Sequence, residues 1–365
     1  MSLEDKLERA KEKLDKTPVN KATEKERGRI KAKIANLKEQ MERRAKETGG
    51  GYEGYSVKKK GDATVSLVGY PSVGKSTLLN RLTNADSEVG DYHFTTLDVV
   101  PGMMKYRGAN IQLVDVPGLI GGAASDKGGG KQVISVIRNS DLVVLMADPE
   151  RLDGFDRMEE ELYDAGIRID MEPPNIKVEK KGKGGIKVKA AVNLTETDEE
   201  TVREVMKQWG YTNASIIIRE DAGIERVIDA LARNRKYMPS VKVVNKAEDL
   251  TEDEADEIKD EYGEEVVFLS AKHEKNLEEF RDAVYDGLEL MRIYMKEPGQ
   301  DADMDEPLIV RRGSTIMEVC ESLPGDMEER FDYARIWGSS AKFDEQKVGE
   351  THVLEDGDTV EIHTN

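Results

Sequence analysis

The residues best suited to chemistry form a single run, Gly69-Tyr70-Pro71-Ser72-Val73-Gly74-Lys75-Ser76-Thr77, which fits the pattern G-x-x-x-x-G-K-[ST]. The run follows an apolar, strand-like segment at 64–68 and precedes a helical pattern. Its glycines let backbone N–H groups turn inward around a β-phosphate at a helix N-terminus. Lys75 can then bridge the β- and γ-phosphates, and the Ser76 hydroxyl can bind Mg²⁺. The run therefore predicts a site for a nucleoside triphosphate.

Two further segments suit the γ-phosphate and its metal. Asp115-Val116-Pro117-Gly118 follows a strand-like segment, so Asp115 can hold Mg²⁺ through water and the Gly118 N–H can meet the γ-phosphate. Phe94-Thr95-Thr96 lies between the two motifs, with Thr96 placed to close over Mg²⁺ and the γ-phosphate. We expect catalysis to rest on Lys75, Thr96 and Gly118.

Two more strand ends carry residues that can recognise guanine. Asn245-Lys246-Ala247-Glu248 and Ser270-Ala271-Lys272 each follow a short apolar segment. We expect Asn245 to contact the base edge, the Lys246 stem to stack on the ring, and the Glu248 carboxylate to hold N1–H and the 2-amino group. The Ala271 N–H is expected at O6. These elements, in this order, predict a GTP-dependent switch.

The elements that position these residues alternate between strands and helices, which predicts an α/β fold with a doubly wound sheet. Strands are expected at 64–68, 111–114, 142–147, 241–244 and 266–269, and the final helix of this alternating region is expected to run from Asn276 through Tyr294. The stretch from Gly166 to the strand at 241 is too long for a loop, so we expect an inserted α+β subdomain at 168–238. Its lysine-rich segment, 177–189, is predicted to be a hairpin that either contacts RNA phosphates or is simply solvated.

The first 60 residues differ from the rest in charge. They hold 18 basic and 11 acidic residues, a charge of +7, whereas the other 305 residues carry −26. Helices are expected at 3–16 and 22–47, with too narrow an apolar face to be stable alone. This arm either faces nucleic acid or is laced with ion pairs. The last 65 residues are expected to form a small mixed sheet with one crossing helix.

Composition narrows the function classes. The single cysteine, Cys320, cannot form an internal disulfide or a zinc site by itself. The apolar stretches are of strand length, well short of the roughly 20 residues that span a bilayer. The first residues run directly into charged positions without an apolar leader, so we expect a cytoplasmic protein that does not bind membranes.

The motifs together resemble the Obg superfamily of GTPases, in the archaeal type of its developmentally regulated GTP-binding protein branch. Asn20-Lys21-Ala22-Thr23-Glu24, Pro173-Pro174-Asn175-Ile176 and the segment 347–358 extend the resemblance over nearly the whole chain. The resemblance implies a helix-turn-helix arm with a glycine joint (1–60) and a G domain (61–298) interrupted by an S5D2-like insert. It also implies a β-grasp TGS domain (299–365), and association with ribosomes or RNA in translation.

Two positions depart from common GTPase patterns. Glu248 stands where the resembling family has Asp, which bears on guanine selectivity. Leu119 follows Gly118 where many GTPases place a water-orienting Gln, so slow intrinsic hydrolysis is expected. Because the family often uses a monovalent cation, we hypothesise K⁺ stimulation, with loop groups around Ser72 and Thr95 as ligands.

Three alternatives stay open at this point: an ATP-preferring relative, a scaffold that binds RNA or ribosomes around a structural nucleotide, and a small-molecule kinase. The intact phosphate motifs favour a switch over a scaffold. The base-reading motifs disfavour a kinase. The expected partners are GTP and GDP, a ribosome or RNA, and a regulatory protein, with no DNA.

Overall fold

A computed structural model describes residues 2–20, 23–47, 61–83, 100–117 and 130–365. The chain divides into two compact units: Met1–Gly54 with Gly166–Tyr237, and Tyr55–Ala165 with Met238–Asn365.

The helices are α1 (Leu3–Lys16), α2 (Glu24–Glu47), α3 (Lys75–Leu82), α4 (Gly130–Arg138), α5 (Gly154–Asp164), α6 (Glu199–Gln208), α7 (Ile224–Leu231), α8 (Glu252–Tyr262), α9 (Leu277–Gly287), α10 (Ile316–Ser322) and α11 (Met327–Arg330). The strands are β1 (Ala63–Gly69), β2 (Val100–Tyr106), β3 (Ala109–Asp115), β4 (Leu142–Ala147), β5 (Ile167–Ile169), β6 (Ile176–Lys180), β7 (Ile186–Ala190), β8 (Ala214–Ile218), β9 (Lys236–Met238), β10 (Ser240–Asn245), β11 (Val267–Leu269), β12 (Leu290–Met295), β13 (Leu308–Arg311), β14 (Phe331–Trp337), β15 (Gln346–Val348) and β16 (Thr359–Thr364).

The second unit contains a six-stranded sheet in the order β11-β10-β4-β1-β3-β2. Five of its strands are parallel, and β2 pairs antiparallel with β3 at one edge. β1 and β4 are buried along their whole length, as expected for parallel strands covered on both faces. The chain continues from β1 to neighbours on both sides, which confirms the doubly wound prediction and puts a topological switch point at the end of β1.

The same unit ends in a five-stranded sheet, β13-β12-β16-β14-β15, which shares a core with α10. The predicted helix through Tyr294 is wrong beyond Gly287: residues Leu290–Met295 form β12. Glu289 has a φ of 53°, a left-handed conformation that breaks the helix. The apolar run that follows pairs parallel with β16 and antiparallel with β13. Cys320 is buried in this core.

The first unit contains a three-stranded sheet, β6-β8-β7, packed against α6 and α7. The hairpin predicted for the lysine-rich segment is wrong, because β8 lies between β6 and β7. β8 is antiparallel to β6 and parallel to β7. It is the most apolar of the three strands, and its Ile216 and Ile218 are fully buried, which explains its central position.

The two predicted helices of the arm are confirmed as α1 and α2, and α2 packs on α6 and α7. Ala32 of α2 is fully buried in the same core as Val205 and Ile228. Gly28 allows a close approach, because a Cβ there would lie 3.0 Å from Cγ1 of Ile224.

Ion pairs also link α2 to the insert where the two pack together. Lys25 lies 3.1 Å from Asp198 and 3.3 Å from Glu200. Two further pairs join α2 to the insert: Arg29–Glu204 and Lys31–Glu225. On this face of α2, the basic side chains are therefore paired with carboxylates of the insert on which the helix packs.

Within the described ranges, no helix combines the length and the apolar composition needed to cross a bilayer.

Candidate functional site

The carboxyl ends of the parallel strands bring the predicted site residues to one edge of the six-stranded sheet. β1 ends at Gly69, β3 at Asp115 and β10 at Asn245, while Asp148 and Ser270 directly follow β4 and β11. Parallel strands present their carboxyl ends on the same side, which is where doubly wound folds bind ligands. This edge is the candidate site.

The phosphate loop, residues 69–77, begins at the end of β1 and runs into α3. Ser72 and Gly74 have positive φ values of 66° and 101°. The Gly74 carbonyl accepts the backbone N–H of Leu78 at 2.9 Å, which starts the helix. A left-handed residue at the entrance of a helix turns the preceding N–H groups toward a common centre, as an anion site requires.

Lys75 lies buried at the start of α3, with its ammonium group turned toward the loop. Nζ donates to the carbonyls of Gly69 at 2.9 Å and Tyr70 at 3.2 Å. Burial lowers the pKa of Lys75 below its usual value, although the charge of Asp115 acts in the opposite direction. A buried cation held by neutral carbonyls is incompletely compensated, so a phosphate anion is its natural partner.

Ser76 and Asp115 are directly joined. The Ser76 hydroxyl donates to Oδ2 of Asp115 at 2.5 Å, and the Asp115 residue is buried. A hydroxyl and a carboxylate are the hard oxygen donors that Mg²⁺ prefers. The described residues contain no group of three or more His, Cys, Asp or Glu that could hold a metal. The Ser76 hydroxyl and the Asp115 carboxylate fit Mg²⁺, which commonly binds one or two protein groups plus nucleotide phosphates and water.

Asn245 connects the phosphate loop to the loop after β11. Its Nδ2 donates to the Val73 carbonyl at 2.7 Å, and its Oδ1 accepts the Ala271 N–H at 2.9 Å. The Asn245 side chain therefore uses both ends of its amide to hold the two loops together. The Ala271 N–H, expected at the guanine O6, donates to Asn245 in this arrangement.

Lys246 is positioned by Asp148, a residue that the sequence reasoning did not identify. Lys246 has a φ of 63°, and its Nζ lies 3.2 Å from Oδ2 of Asp148. Arg151 also donates to Oδ2, at 2.7 Å. Burial raises the pKa of Asp148, but the hydrogen bonds from Arg151 and Lys246 outweigh it and hold the pKa below its usual value. Asp148 therefore stays ionised and orients the lysine stem.

Tyr70 is a second residue whose contacts were not foreseen. Its ring lies 5.8 Å from the Arg151 guanidinium, and its hydroxyl accepts a hydrogen bond from Arg157 at 3.3 Å. Gly154 leaves room for the ring, because a Cβ there would lie 2.8 Å from Cε2. These contacts anchor the phosphate loop to α5.

Glu248 lies in a 3₁₀ turn, Ala247–Asp249, beside the loop after β11. A hydrogen bond from the Ser270 side chain holds the pKa of Glu248 below its usual value. His273 Nε2 lies 3.6 Å from Oε1 of Glu248. Oε2 is buried and has no hydrogen-bond partner among the described residues. Glu248 therefore carries an ionised carboxylate at this end of the site, which is the acceptor that the N1–H and 2-amino donors of guanine require.

The remaining predicted site residues divide into two groups. The first group lies in the phosphate loop and comprises Pro71, Ser72, Val73 and Thr77, while Lys272 is exposed next to Ala271. The second group lies in two other segments of the chain. The predictions for Phe94, Thr95, Thr96 and Gly118 fall outside the described residues.

Three family models cover most of the chain. A model described as a 50S ribosome-binding GTPase matches residues 64–181, and a model of the C-terminal region of that domain matches residues 183–290. A TGS domain model matches residues 291–364, so it includes all of β12 except its first residue.

Relatives match over nearly the full length. The chain is 48% identical to an uncharacterised GTP-binding protein of Halobacterium salinarum, with 99% of each chain covered. It is 42% identical to developmentally regulated G-protein 3 of Arabidopsis thaliana, over 98% of this chain and 97% of the relative. It is 38% identical to developmentally regulated GTP-binding protein 2 of Bos taurus, with 99% of both covered. Together with the phosphate loop, Asp115 and the base-reading loops, these matches show that the chain is a GTPase that belongs to the developmentally regulated GTP-binding protein family.

Proposed function

We propose that this GTPase is a Mg²⁺-dependent molecular switch that associates with the ribosome or with RNA during translation. The main observation in support of a switch is that side-chain hydrogen bonds link the loops at one edge of the sheet. Ser76 contacts Asp115, and Asn245 bonds to both the phosphate loop and the base-reading loop. A change in the bound nucleotide can therefore affect the ends of several strands at once. The matching family, which is described as a 50S ribosome-binding GTPase, supports the ribosomal partner. We propose the cytoplasm as its place of action.

Different residues of the chain have different roles in the hydrolysis of GTP. The ammonium of Lys75 neutralises charge on the β- and γ-phosphates, while Ser76 and, through water, Asp115 hold Mg²⁺. When bound, Mg²⁺ neutralises the charge that develops on the transferring phosphoryl group. Thr96 and Gly118 are proposed to close on the γ-phosphate, with Phe94 and Thr95 lining the nucleotide.

The water-orienting position is apolar, because Leu119 follows Gly118. We therefore expect slow intrinsic turnover, raised by a partner or by a monovalent cation. We propose K⁺ as that cation, with loop groups around Ser72 and Thr95 as ligands. Measuring turnover in matched KCl and NaCl buffers tests this: faster hydrolysis in KCl is expected, and equal rates would refute it.

Guanine selectivity is assigned to Asn245, Lys246, Glu248 and Ala271. Glu248 is one methylene longer than the aspartate of the family, and the hydrogen bond from Ser270 holds its pKa below the usual value, which keeps the carboxylate ionised. Thermal stabilisation by GDP and by ADP measures the preference directly, since a bound ligand stabilises by RT ln(1 + [L]/Kd). We expect a clear shift with GDP and little with ADP. Equal shifts would contradict guanine selectivity, and a larger shift with ADP would favour the ATP-preferring alternative.

A switch differs from a scaffold in its response to the nucleotide. Ribosome co-sedimentation should be compared for chain loaded with GDP and with a non-hydrolysable GTP analogue. We expect ribosome binding to differ between the two nucleotide states. The difference should disappear in Lys75→Ala, because this variant lacks the ammonium group that contacts the β- and γ-phosphates. Equal binding in both states would indicate a scaffold with a structural nucleotide. A regulatory protein would act by changing how much ribosome binding differs between the GDP-bound and GTP-bound states.

The modular division remains part of this proposal: an arm at 1–60, a G domain at 61–298 with an S5D2-like insert at 168–238, and a TGS domain at 299–365. In the first unit, α2 packs on α6 and α7 of the insert. We therefore propose that arm and insert move together as the nucleotide changes.

A further inference from the structure

We propose that the open face of the β6-β8-β7 sheet is a contact surface for the phosphate backbone of RNA. We call it the lysine face; its cations are Lys177, Lys181, Lys183, Lys187, Lys189 and Arg219. The inference rests on the proposed function, because it assigns a surface to the RNA partner proposed above.

The strand register decides which side chains share this face. Alternate residues of a strand point to opposite faces, and α6 and α7 cover the face that carries Val188 and Ile216. The other face carries Lys187 opposite Ser215, and Lys189 opposite Ile217. β6 adds Lys177 opposite Ile217 on the far side of β8. Two outer strands thus present lysines across a central strand with no charge at these positions.

Exposure and charge balance support an external anion. Every cation of the lysine face is exposed. Glu179 lies 2.9 Å from Lys177 and 2.8 Å from Lys181, and these hydrogen bonds lower its pKa to about 2. Over the described parts of the chain, no carboxylate lies within ion-pair distance of Lys183, Lys187 or Lys189. The face therefore carries a clear excess of positive charge.

The arm provides the contrast. The lysines and arginines that α2 turns toward the insert, Lys25, Arg29 and Lys31, are all paired with carboxylates of the insert. Their charge is already neutralised within the unit. The cations on the packed face of α2 are therefore not available to an external anion, whereas those of the lysine face are exposed to one.

The chemistry of the lysine face suits a polyanion with regularly spaced charges. Lys187 and Lys189 are two residues apart on one strand, which separates them by about 6.6 Å along it. Lysine recognises phosphate as a point charge, and backbone contacts of this kind position a nucleic acid without reading its sequence. The turn beside the face is rich in glycine, and around Gly182 and Gly185 no atom lies within 4 Å of a hypothetical Cβ. A ribose-phosphate chain can therefore approach the backbone there.

The test uses the full-length chain with Lys187→Gln and Lys189→Gln combined. Lys6→Gln with Lys11→Gln is the matched control, because both lysines are exposed on α1 and the change in charge is the same. Binding of a short, labelled single-stranded RNA of mixed sequence is measured by fluorescence anisotropy over a series of KCl concentrations. Each lost phosphate contact lowers the salt slope by about 0.7, so we expect a slope shallower by about 1.4 and roughly tenfold weaker binding in the lysine-face variant.

Three results would overturn the assignment. The first is an unchanged affinity and slope in the lysine-face variant. The second is an equal loss in the α1 control, which would indicate a general charge effect. The third is binding of polyglutamate that exceeds binding of RNA and is lost in the lysine-face variant, which would indicate an acidic protein partner.

Failure of this inference and failure of the proposed function give different results. If the wild-type chain binds neither ribosomes nor RNA in either nucleotide state, the proposed function fails, and the lysine face fails with it. If the wild type binds and the lysine-face variant binds equally well, only the surface assignment fails. Thermal stabilisation of the variant by GDP is expected to equal that of the wild type, which verifies that the fold and the nucleotide site are intact.

Discussion

Gly74 and Asn245 lie so close together that a Cβ on the glycine would overlap Nδ2 of the asparagine. The glycine also has a φ of 101°, a conformation that other residues adopt only with strain. We therefore expect Gly74→Ala to displace the Asn245 side chain and to weaken GDP binding by tenfold or more, a loss of about 1.4 kcal/mol or greater. Isothermal titration with GDP measures the change.

Gly210→Ala separates backbone strain from the close contact. Gly210 has a φ of 78°, but nothing lies within 4 Å of a hypothetical Cβ. We expect this variant to lose about 1 kcal/mol of stability with an unchanged GDP Kd. An equal loss of GDP affinity in both variants would refute the role assigned to the Gly74–Asn245 contact.

Asp148→Asn is expected to weaken GDP binding, because the neutral amide releases Lys246 and Arg151 from their charge-assisted hydrogen bonds. The loss of such bonds costs about 1–3 kcal/mol, which corresponds to roughly 5- to 150-fold in Kd if all of it reaches the nucleotide. Arg151→Gln removes one partner and keeps Lys246 in place, so a smaller effect is expected. A Kd in Asp148→Asn equal to that of the wild type would show that Lys246 needs no orientation by this carboxylate.

The same carboxylate makes an acid-dependent contribution to stability. Its pKa in the folded chain lies below the usual 3.8, because the hydrogen bonds from Arg151 and Lys246 outweigh burial. A carboxyl with a lowered pKa stabilises the fold above its unfolded value and loses that contribution as the pH falls through the folded value. We therefore expect the free energy of unfolding to fall less steeply below about pH 4 in Asp148→Asn than in the wild type. Denaturant titrations at a series of pH values test this, and parallel curves would contradict it.

Glu248→Gln tests whether the carboxylate reads guanine. A carboxylate accepts hydrogen bonds from N1–H and the 2-amino group, whereas an amide nitrogen faces the same edge as a donor. We expect GDP affinity to fall by roughly 10- to 100-fold, since sites built for a hydrogen bond reject mismatched partners strongly. Xanthosine diphosphate carries a carbonyl at position 2, so its affinity should rise. Unchanged GDP binding would place guanine recognition elsewhere.

The packing of α2 on α6 predicts a charge-swap rescue. Arg29 pairs with Glu204, and both residues belong to the first unit. Each single reversal, Arg29→Glu or Glu204→Arg, should lower stability by about 0.5–1 kcal/mol, because it puts like charges together. The double variant should recover most of the loss. Additive losses in a double-mutant cycle measured by denaturant unfolding would indicate that the pair makes no contribution.

The phosphate loop, Asp115 and Asn245 could be predicted from sequence because each motif is local and follows an apolar strand. Asp148 could not, since an aspartate before proline is common in turns. Its role becomes visible only when β4 and β10 are placed side by side, which brings Lys246 to it. The position of Asp148 at a parallel strand end was the signal available in the sequence.

The errors in the fold have a similar origin. Residues Leu290–Met295 form an apolar run that suits a helix or a strand, and only pairing with β16, far along the chain, decides between them. The order β6-β8-β7 depends on contacts across α6, whereas a hairpin is the expectation from neighbouring segments. The α2 ion pairs join residues 175 positions apart for Lys25 and Glu200, a separation that no local pattern can reveal.

That separation has a consequence for synthesis of the protein. The surface on which α2 packs includes α7, which ends at Leu231. Translation at about 5–20 residues per second needs roughly 10–35 s to add the 175 residues between Lys25 and Glu200. During that time the growing chain carries an amphipathic helix without its native surface. Final assembly of the first unit is therefore a late event, because α2 must wait for the helices of the insert, which are synthesised only after residues 55–165.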